Sequence, residues 1–243
     1  MRPKRLLLID AVKWAEVYPD GDQLRNVERW FLAALKDGPA IQLKTVSIEG
    51  DLDAALELGV DGIIISGSPR DAWGEDPAGL SLLKTLKRCE NDEIPVLGVC
   101  YGHQILARYL GGQVARHPQG LQLYTAAVTL SEQGRSCPLF EGLNLNFQAI
   151  SGHADYVQAL PEACTLLATS QSTQVQAFNY RDLFFGVQFH PEFTAEIIQY
   201  LWRHRIESWR SEVPFDLEHR VSELTDAPGS ERILHNFVDH IIP

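Results

Sequence analysis

The apolar positions change rhythm along the chain. In the first half, short unbroken runs alternate with stripes at helical spacing. Leu6–Ile9 lies inside RLLLID over residues 5–10, and Ile63–Ile65 inside VDGIIIS over 60–66. Runs of this kind are carried by strands buried on both faces. Residues 40–48 and 95–99 (PVLGV) read as two further strands. Between them the spacing predicts helices. The first is capped by Asp20 or Asp22 and runs to about Lys36, with Leu24, Val27, Phe31 and Leu35 on one stripe and Gly38-Pro39 as its stop. A short helix covers 51–58, a longer one 77–91 with Leu80, Leu83 and Leu86 inward, and another 101–110. Strands alternating with helices imply a parallel sheet covered on both faces.

After Gly111-Gly112 the rhythm shortens. Strand-like runs at 121–130, 146–151, 163–169, 174–179 and 183–190 are separated by Gly, Pro, Asn and Ser, which predicts strands of a mixed sheet or an added antiparallel layer. A long helix from about Phe193 to Glu212 follows, with Ile197, Leu201, Ile206 and Trp209 at helical spacing and Pro214 as its end. Trp202 and Trp209 read as core anchors. A last helix spans about 230–242, after a Pro228-Gly229 turn. The expectation is an α/β fold: a three-layer open sheet, mostly parallel with added antiparallel strands. It forms one domain over 1–243 with a C-terminal helical extension from about 193.

Composition narrows the function classes. The chain has 243 residues, 45% apolar and 22% charged, which excludes a disordered or fibrous chain. A net charge of −11 argues against nucleic acid and anionic membrane as partners. No apolar run approaches the ~20 residues of a bilayer span. The basic start (Arg2, Lys4, Arg5) and Leu6–Ile9 imitate a signal peptide, but Asp10 and Lys13 cut the run below the ~7–15 apolar residues an export signal needs. A cytoplasmic chain with four reduced cysteines (Cys89, Cys100, Cys137, Cys164) is expected. No CxxC pair or Cys/His cluster has zinc spacing, so neither metal nor cofactor is expected.

The candidate chemistry starts at Gly98-Val-Cys100-Tyr-Gly102, where an apolar strand runs straight into a helix. This is the G-x-nucleophile-x-G pattern of a nucleophile elbow with Cys100 as nucleophile. The turn is tight, so positions two before and two after must lack bulk, which Gly98 and Gly102 satisfy. It lifts the sulfur above the sheet edge, at a helix N-terminus that favours negative charge. The Tyr101 N–H is free there to donate to an oxyanion. Cys89, Cys137 and Cys164 lack this context and read as structural.

The second piece is Gln188-Phe-His190-Pro-Glu192. Residues two apart in extended chain share a side, so His190 and Glu192 project together. Pro191 biases His190 away from helix. A carboxylate in that position can accept the imidazole N–H, set the tautomer and stabilise the imidazolium. His117, His204, His219, His235 and His240 read as ordinary surface or core histidines. The third piece is Ser66-Gly67-Ser68-Pro69 at the end of the third strand, where the Gly67 N–H can supply the second oxyanion donor.

Over about residues 60–200 these motifs together resemble the class I glutamine amidotransferases, with their Cys–His–Glu triad. GVCYGHQ, QFHPE and SGSP stand in that family's order, and the nearest likeness is to the amidotransferase domain of GMP synthase and its free-standing relatives. The resemblance implies a flavodoxin-like fold and a triad of Cys100, His190 and Glu192. It also implies oxyanion donors at Gly67 and Tyr101, and a substrate role for Gln104. Ser151-Gly-His153-Ala-Asp155 is similar to the subgroup's His-x-Asp loop by the glutamine pocket, although Gly152 replaces the Ser expected before His. The triad pattern places the base at His190, not His153.

The implied reaction is cleavage of the γ-amide of glutamine through a cysteinyl thioester, releasing glutamate and ammonia. No nucleotide-binding loop is present and only about fifty residues follow Glu192, so a fused synthetase is not expected. A separate synthetase subunit is the partner such a domain would serve. The alternative is a free-standing γ-glutamyl peptidase acting on γ-glutamyl peptides. A non-catalytic scaffold is disfavoured because the Cys and His are both retained. A dienelactone-hydrolase-like enzyme, which also uses a G-x-C-x-G elbow, is disfavoured by the HPE string.

Overall fold

The computed structural model describes residues 2–12 and 26–243. Its strands are β1 (Lys4–Asp10), β2 (Ile41–Ser47), β3 (Gly62–Ile65), β4 (Val96–Val99), β5 (Gln113–Arg116), β6 (Gln122–Leu130), β7 (Asn146–His153), β8 (Asp155–Ala159), β9 (Thr165–Thr169), β10 (Ala177–Tyr180) and β11 (Phe184–Val187). Its α-helices are α1 (Val27–Ala34), α2 (Leu52–Glu57), α3 (Pro77–Asn91), α4 (Tyr101–Tyr109), α5 (Glu132–Ser136), α6 (Ala195–Arg203), α7 (Ile206–Trp209), α8 (Leu217–Ser222) and α9 (Arg232–Asn236).

Nine strands form one sheet in the order β2-β1-β3-β4-β11-β10-β9-β6-β7. The first five run parallel. The remaining four continue the sheet antiparallel. Alternation along the central strands splits their side chains between two cores. Leu6, Leu8, Ile64, Leu97 and Val99 face α1 and α9. Leu7, Ile9, Ile63, Ile65 and Val96 face α2, α3 and α4. Every residue of β3 and β4 is buried, which explains why their sequences read as unbroken apolar runs. A third core packs Leu123 and Ile150 of the antiparallel strands beneath Ile198 and Trp202 of α6 and Leu217 and Val221 of α8.

Several expectations are corrected in detail. The described part of the first helix is capped by Asn26, whose side chain accepts from the Arg29 N–H; Asp20, Asp22 and Leu24 lie outside the described residues. In α3 the inner stripe is Leu82, Leu86 and Cys89, while Leu80 is 39% exposed. The strand expected to reach residue 190 ends at Val187, and His190 is held instead by an isolated antiparallel bridge to Ile150. The expected long helix over 193–212 is two helices, α6 and α7, parted at His204-Arg205. There the His204 Nδ1 takes the Tyr200 carbonyl at 2.9 Å, the acceptor a continuing helix turn would use. The last helix is α9 followed by a π-helical turn over Phe237–Ile241. The β5–β8 pair and α8 have no counterpart among the expected elements.

Candidate active site

Three neighbouring strands, β3, β4 and β11, end at one edge of the sheet. Each delivers one piece of the site, at the carboxyl edge where ligands of open α/β sheets bind. After β3 comes Ser66-Gly67, after β4 Cys100, and three residues after β11 His190. The register places Gly98 beside Gly186 and Val99 beside Val187, so the Cys100 N–H donates to the Val187 carbonyl at 2.8 Å.

Cys100 has φ 52° and ψ −99°, a region that L residues rarely occupy. The strain is held by close backbone packing on both sides. A Cβ on Gly98 would stand 2.3 Å from the carbonyl carbon and oxygen of Gly102. A Cβ on Gly102 would stand 2.5 Å from the Ile65 carbonyl oxygen. The two glycines thus let β4 turn into α4 within one residue, over β3. Tyr101 opens α4, so its N–H belongs to the first turn that has no helical acceptor.

His190 is buried and its Nδ1 donates to the Glu192 Oε1 at 2.7 Å. That leaves Nε2 for Cys100, which borders the same cavity as the ring. Phe193 stacks flat on the imidazole, with centroids 4.1 Å apart and planes 6° from parallel. Burial alone would push the imidazolium pKa down. The charges of Glu192 and Cys100, and hydrogen bonds to both, outweigh it and raise the pKa above its ordinary value of 6.5. A Cβ at Gly67 would fall 2.6 Å from the His190 Cε1 and 3.5 Å from the Cys100 Cβ, so only glycine lets this backbone close over the pair.

Cys100 lies where two cavities meet. One, of about 70 Å³, holds Gly67, His190, Glu192 and Phe193 and is lined by Val27, Trp30, Ile198 and Leu201 together with the polar Ser66. The other, of about 60 Å³, is polar, with Gln104, Arg116, His153 and Asp155. Ser68, Pro69, Gly152, Trp202 and Arg205 line both. The sequence-predicted residues are thus split: the triad and Gly67 border the first cavity, and the three expected substrate residues border the second.

In the polar cavity, the Gln104 Nε2 already donates to the Asp155 carbonyl at 2.8 Å and the Gln188 Oε1 at 3.1 Å, so its amide hydrogens hold the wall together. The His153 Nδ1 meets the Asp155 carbonyl at 2.8 Å; a carbonyl only accepts, so Nδ1 carries the proton and Nε2 is an acceptor without a protein partner. Asp155 takes the Trp73 Nε1–H at 3.0 Å and faces Arg116 at 3.5 Å, and burial raises its pKa despite both. Gly152, the departure from the expected Ser, makes room for α6: a Cβ there would press within 3.2 Å of the Ile198 Cδ1.

A family model described as "Glutamine amidotransferase class-I" matches residues 29–200. The chain belongs to the class I glutamine amidotransferases. Gamma-glutamyl peptidase 3 of Arabidopsis thaliana is 33% identical over 174 residues, 70% of this chain and 66% of that protein. A glutamine-hydrolyzing GMP synthase subunit from Natronomonas pharaonis is 38% identical over 138 residues, 56% of this chain and 68% of that one. The chain spans about two thirds or less of the length of the peptidases it matches. A glutamine amidotransferase of known structure from Thermotoga maritima superposes with a TM-score of 0.71 at 19% identity, covering 100% of this chain and 99% of that one, which shows a shared fold.

In this class I amidotransferase all four cysteines are free; of the three read as structural, Cys89 and Cys137 are buried and Cys164 is half-buried. His117 is also a core residue, its Nε2 at 2.9 Å from the Ser172 carbonyl. Trp202 is a core anchor, but it and Trp209 also wall the polar cavity. Sequence patterns do not single out Arg116, Arg205 or Phe193. Phe193 alone has a local signal, following HPE directly. Among the described residues no helix is long and apolar enough to cross a membrane, and no group of three or more His, Cys, Asp or Glu could hold a metal ion.

Buried histidines on both sides of neutrality set the pH range of stability. Burial pushes His103 and His153 down from 6.5 to about 3. Their folded values lie below the unfolded ones, so stability is intact above pH 6.5 and falls as pH drops from there. The limiting slope is about 1.4 kcal/mol per pH unit for each histidine. His190 has the opposite sign: its raised pKa contributes stability below pH 6.5 that is lost as pH rises toward its folded value. Thermal melts across pH 5–9 are expected to peak near neutrality and fall on both sides. A melting temperature that climbs steadily from pH 7 to pH 5 would contradict the neutral burial of His103 and His153.

Proposed function

We propose that this chain hydrolyses γ-glutamyl amide bonds through a thioester on Cys100. The observation that carries the reading is the convergence of Gly67, Cys100 and the His190–Glu192 pair on three adjacent strand ends. The Cys100 proton passes first to the His190 Nε2, whose raised pKa holds it, and the Sγ then attacks the γ-carbonyl carbon. The Gly67 and Tyr101 N–H groups hold the tetrahedral oxyanion. As the C–N bond breaks, the imidazolium protonates the departing nitrogen, and Glu192 stabilises the charged ring throughout. Water, deprotonated by the same imidazole, then opens the thioester to release glutamate. Gln104, His153 and Asp155 form the wall against which the glutamyl group seats.

A second reading, an amidotransferase subunit feeding ammonia to a separate synthetase, is supported by the likeness to the Natronomonas pharaonis GMP synthase subunit. Glutamate release from glutamine and from γ-glutamyl dipeptides, with and without a candidate synthetase, separates the two. Dipeptide turnover above glutamine turnover in the isolated chain supports the hydrolase. Release of ammonia that rises only with the synthetase supports the subunit reading. No release from any of these amides would overturn both. The four free cysteines support a reducing, cytoplasmic location as part of the same proposal.

Glu192→Gln tests the orienting carboxylate. It removes the nearest charge that raises the His190 pKa. The expected result is a loss of kcat of about tenfold or more, with the alkaline limb of the kcat/KM profile moved to lower pH. An unchanged alkaline limb would show that Glu192 does not sustain the imidazolium.

A further inference from the structure

Gly67 faces two opposed demands. Its closeness to the His190 Cε1 admits no Cβ, so the position must be glycine. Glycine is also the residue with the widest backbone freedom. An oxyanion donor is effective when it is aimed before the charge develops, so freedom at Gly67 would cost rate. Among the described residues Gly67 has one hydrogen-bond partner, the Ser66 hydroxyl, which donates to the Gly67 carbonyl at 3.0 Å. That bond closes a ring through the Ser66 Cβ and Cα, and the whole Ser66–Gly67 peptide lies within the ring. The Gly67 N–H sits on that peptide, so the bond fixes its direction.

Ser66 is itself anchored to β1. Its N–H donates to the Ile9 carbonyl at 3.1 Å, and its Oγ accepts the Ala11 N–H at 3.0 Å. Past the glycine, the Ser68 Oγ donates to the Ala11 carbonyl at 2.7 Å and accepts the Arg70 N–H at 3.1 Å. The buried Arg70 side chain donates to the same carbonyl through Nε at 3.0 Å and is held in turn by Glu49 and Asp76. Both neighbours of Gly67 are thus tied to Ala11, and the glycine between them depends on the Ser66 hydroxyl hydrogen alone. We propose that Ser66 is a positioning residue for the cleavage step: its hydroxyl locks the Gly67 peptide with the N–H turned toward the oxyanion. The inference rests on the proposed hydrolysis through Cys100. Ser66 borders the Cys100 cavity but is buried, and its single hydroxyl hydrogen is spent on Gly67, so none is left for substrate. It acts through Gly67 and not on the reacting atoms.

The test compares Ser66→Ala and Ser66→Thr with the parent in two reactions of Cys100. One is γ-glutamyl thioester formation from a γ-glutamyl dipeptide in a quenched single turnover, which passes through an oxyanion. The other is alkylation by iodoacetamide, a displacement at saturated carbon that forms no oxyanion and reports the Cys100–His190 pair. Both are followed on the peptide that carries Cys100 and read as rate constants, which do not depend on the fraction of folded protein. Ser66→Ala is expected to slow acylation about tenfold or more, short of the roughly 100–1000-fold that deleting an oxyanion donor costs. Its alkylation rate is expected to stay within about twofold of the parent, because the nucleophile and its base are untouched. Ser66→Thr keeps the hydroxyl and is expected to recover at least about a third of the parental acylation rate. Acylation by Ser66→Ala within about twofold of the parent would overturn the latch and leave the proposed hydrolysis standing. Acylation and alkylation that fall together would do the same, since that marks a general loss of packing, and so would a Ser66→Thr variant as slow as Ser66→Ala. Absence of the thioester in the parent would overturn the hydrolysis and the latch with it.

Discussion

Cys100→Ser is expected to lower kcat on any γ-glutamyl amide at least about a thousandfold while leaving the fold in place. The hydroxyl matches the thiol in shape, so the φ 52° turn and the Cys100-to-Val187 backbone bond persist. What changes is the nucleophile: the alcohol is a far weaker acid than the thiol and cannot share a proton with His190 in the same way. The variant should melt within a few degrees of the parent. Near-parental activity in this variant would remove Cys100 from the chemistry and leave the elbow without a function. A large fall in melting temperature would instead mean that the sulfur is a packing group.

Gly98→Ala is expected to produce the largest loss of stability. Its Cβ would meet the Gly102 carbonyl carbon and oxygen at 2.3 Å and the His103 nitrogen at 2.7 Å. All three are backbone atoms at the start of α4, between fully buried strands, and none can yield as a side chain would. Overpacking of this kind costs about 3 kcal/mol at the upper end of the usual range. In a domain of this size that corresponds to a fall of roughly 6–12 °C in melting temperature. Gly152→Ala is the natural control, because its Cβ would press chiefly on the flexible end of Ile198 at 3.2 Å. Equal melting temperatures for the two variants would contradict the argument that Gly98 is required by the tightness of the elbow.

The elbow and the His190–Glu192 pair are legible in the sequence because each is local. The spacing of Gly98, Cys100 and Gly102 encodes one turn, and HPE encodes one bonded pair. The central strands are legible because burial on both faces leaves unbroken apolar runs. The parts that escape are set by contacts distant in sequence. β5 and β8 are four and five residues long and partly polar, and each is stabilised by pairing with the other across roughly forty residues of chain. The break between α6 and α7 carries no Gly or Pro, and the apolar stripe runs through it undisturbed. It is made by a His204 side chain capturing a carbonyl, and it places Arg205 against Trp202 and Trp209. The two-chambered site depends on that placement, so no local pattern announces it. Gln104, His153 and Asp155 read as one substrate-binding group, and they do lie together on one wall, but that wall is held by their own mutual hydrogen bonds as much as it is open to a ligand.

The thioester on Cys100 is tested most directly by quenching the protein within the first turnover of a γ-glutamyl dipeptide and weighing its peptides. A single γ-glutamyl group, in thioester linkage, is expected on the peptide that carries Cys100, formed by the parent and accumulated by a His190→Ala variant only far more slowly. A substrate consumed at full rate with Cys100 unmodified, or the group found on Cys89, Cys137 or Cys164 instead, would contradict it.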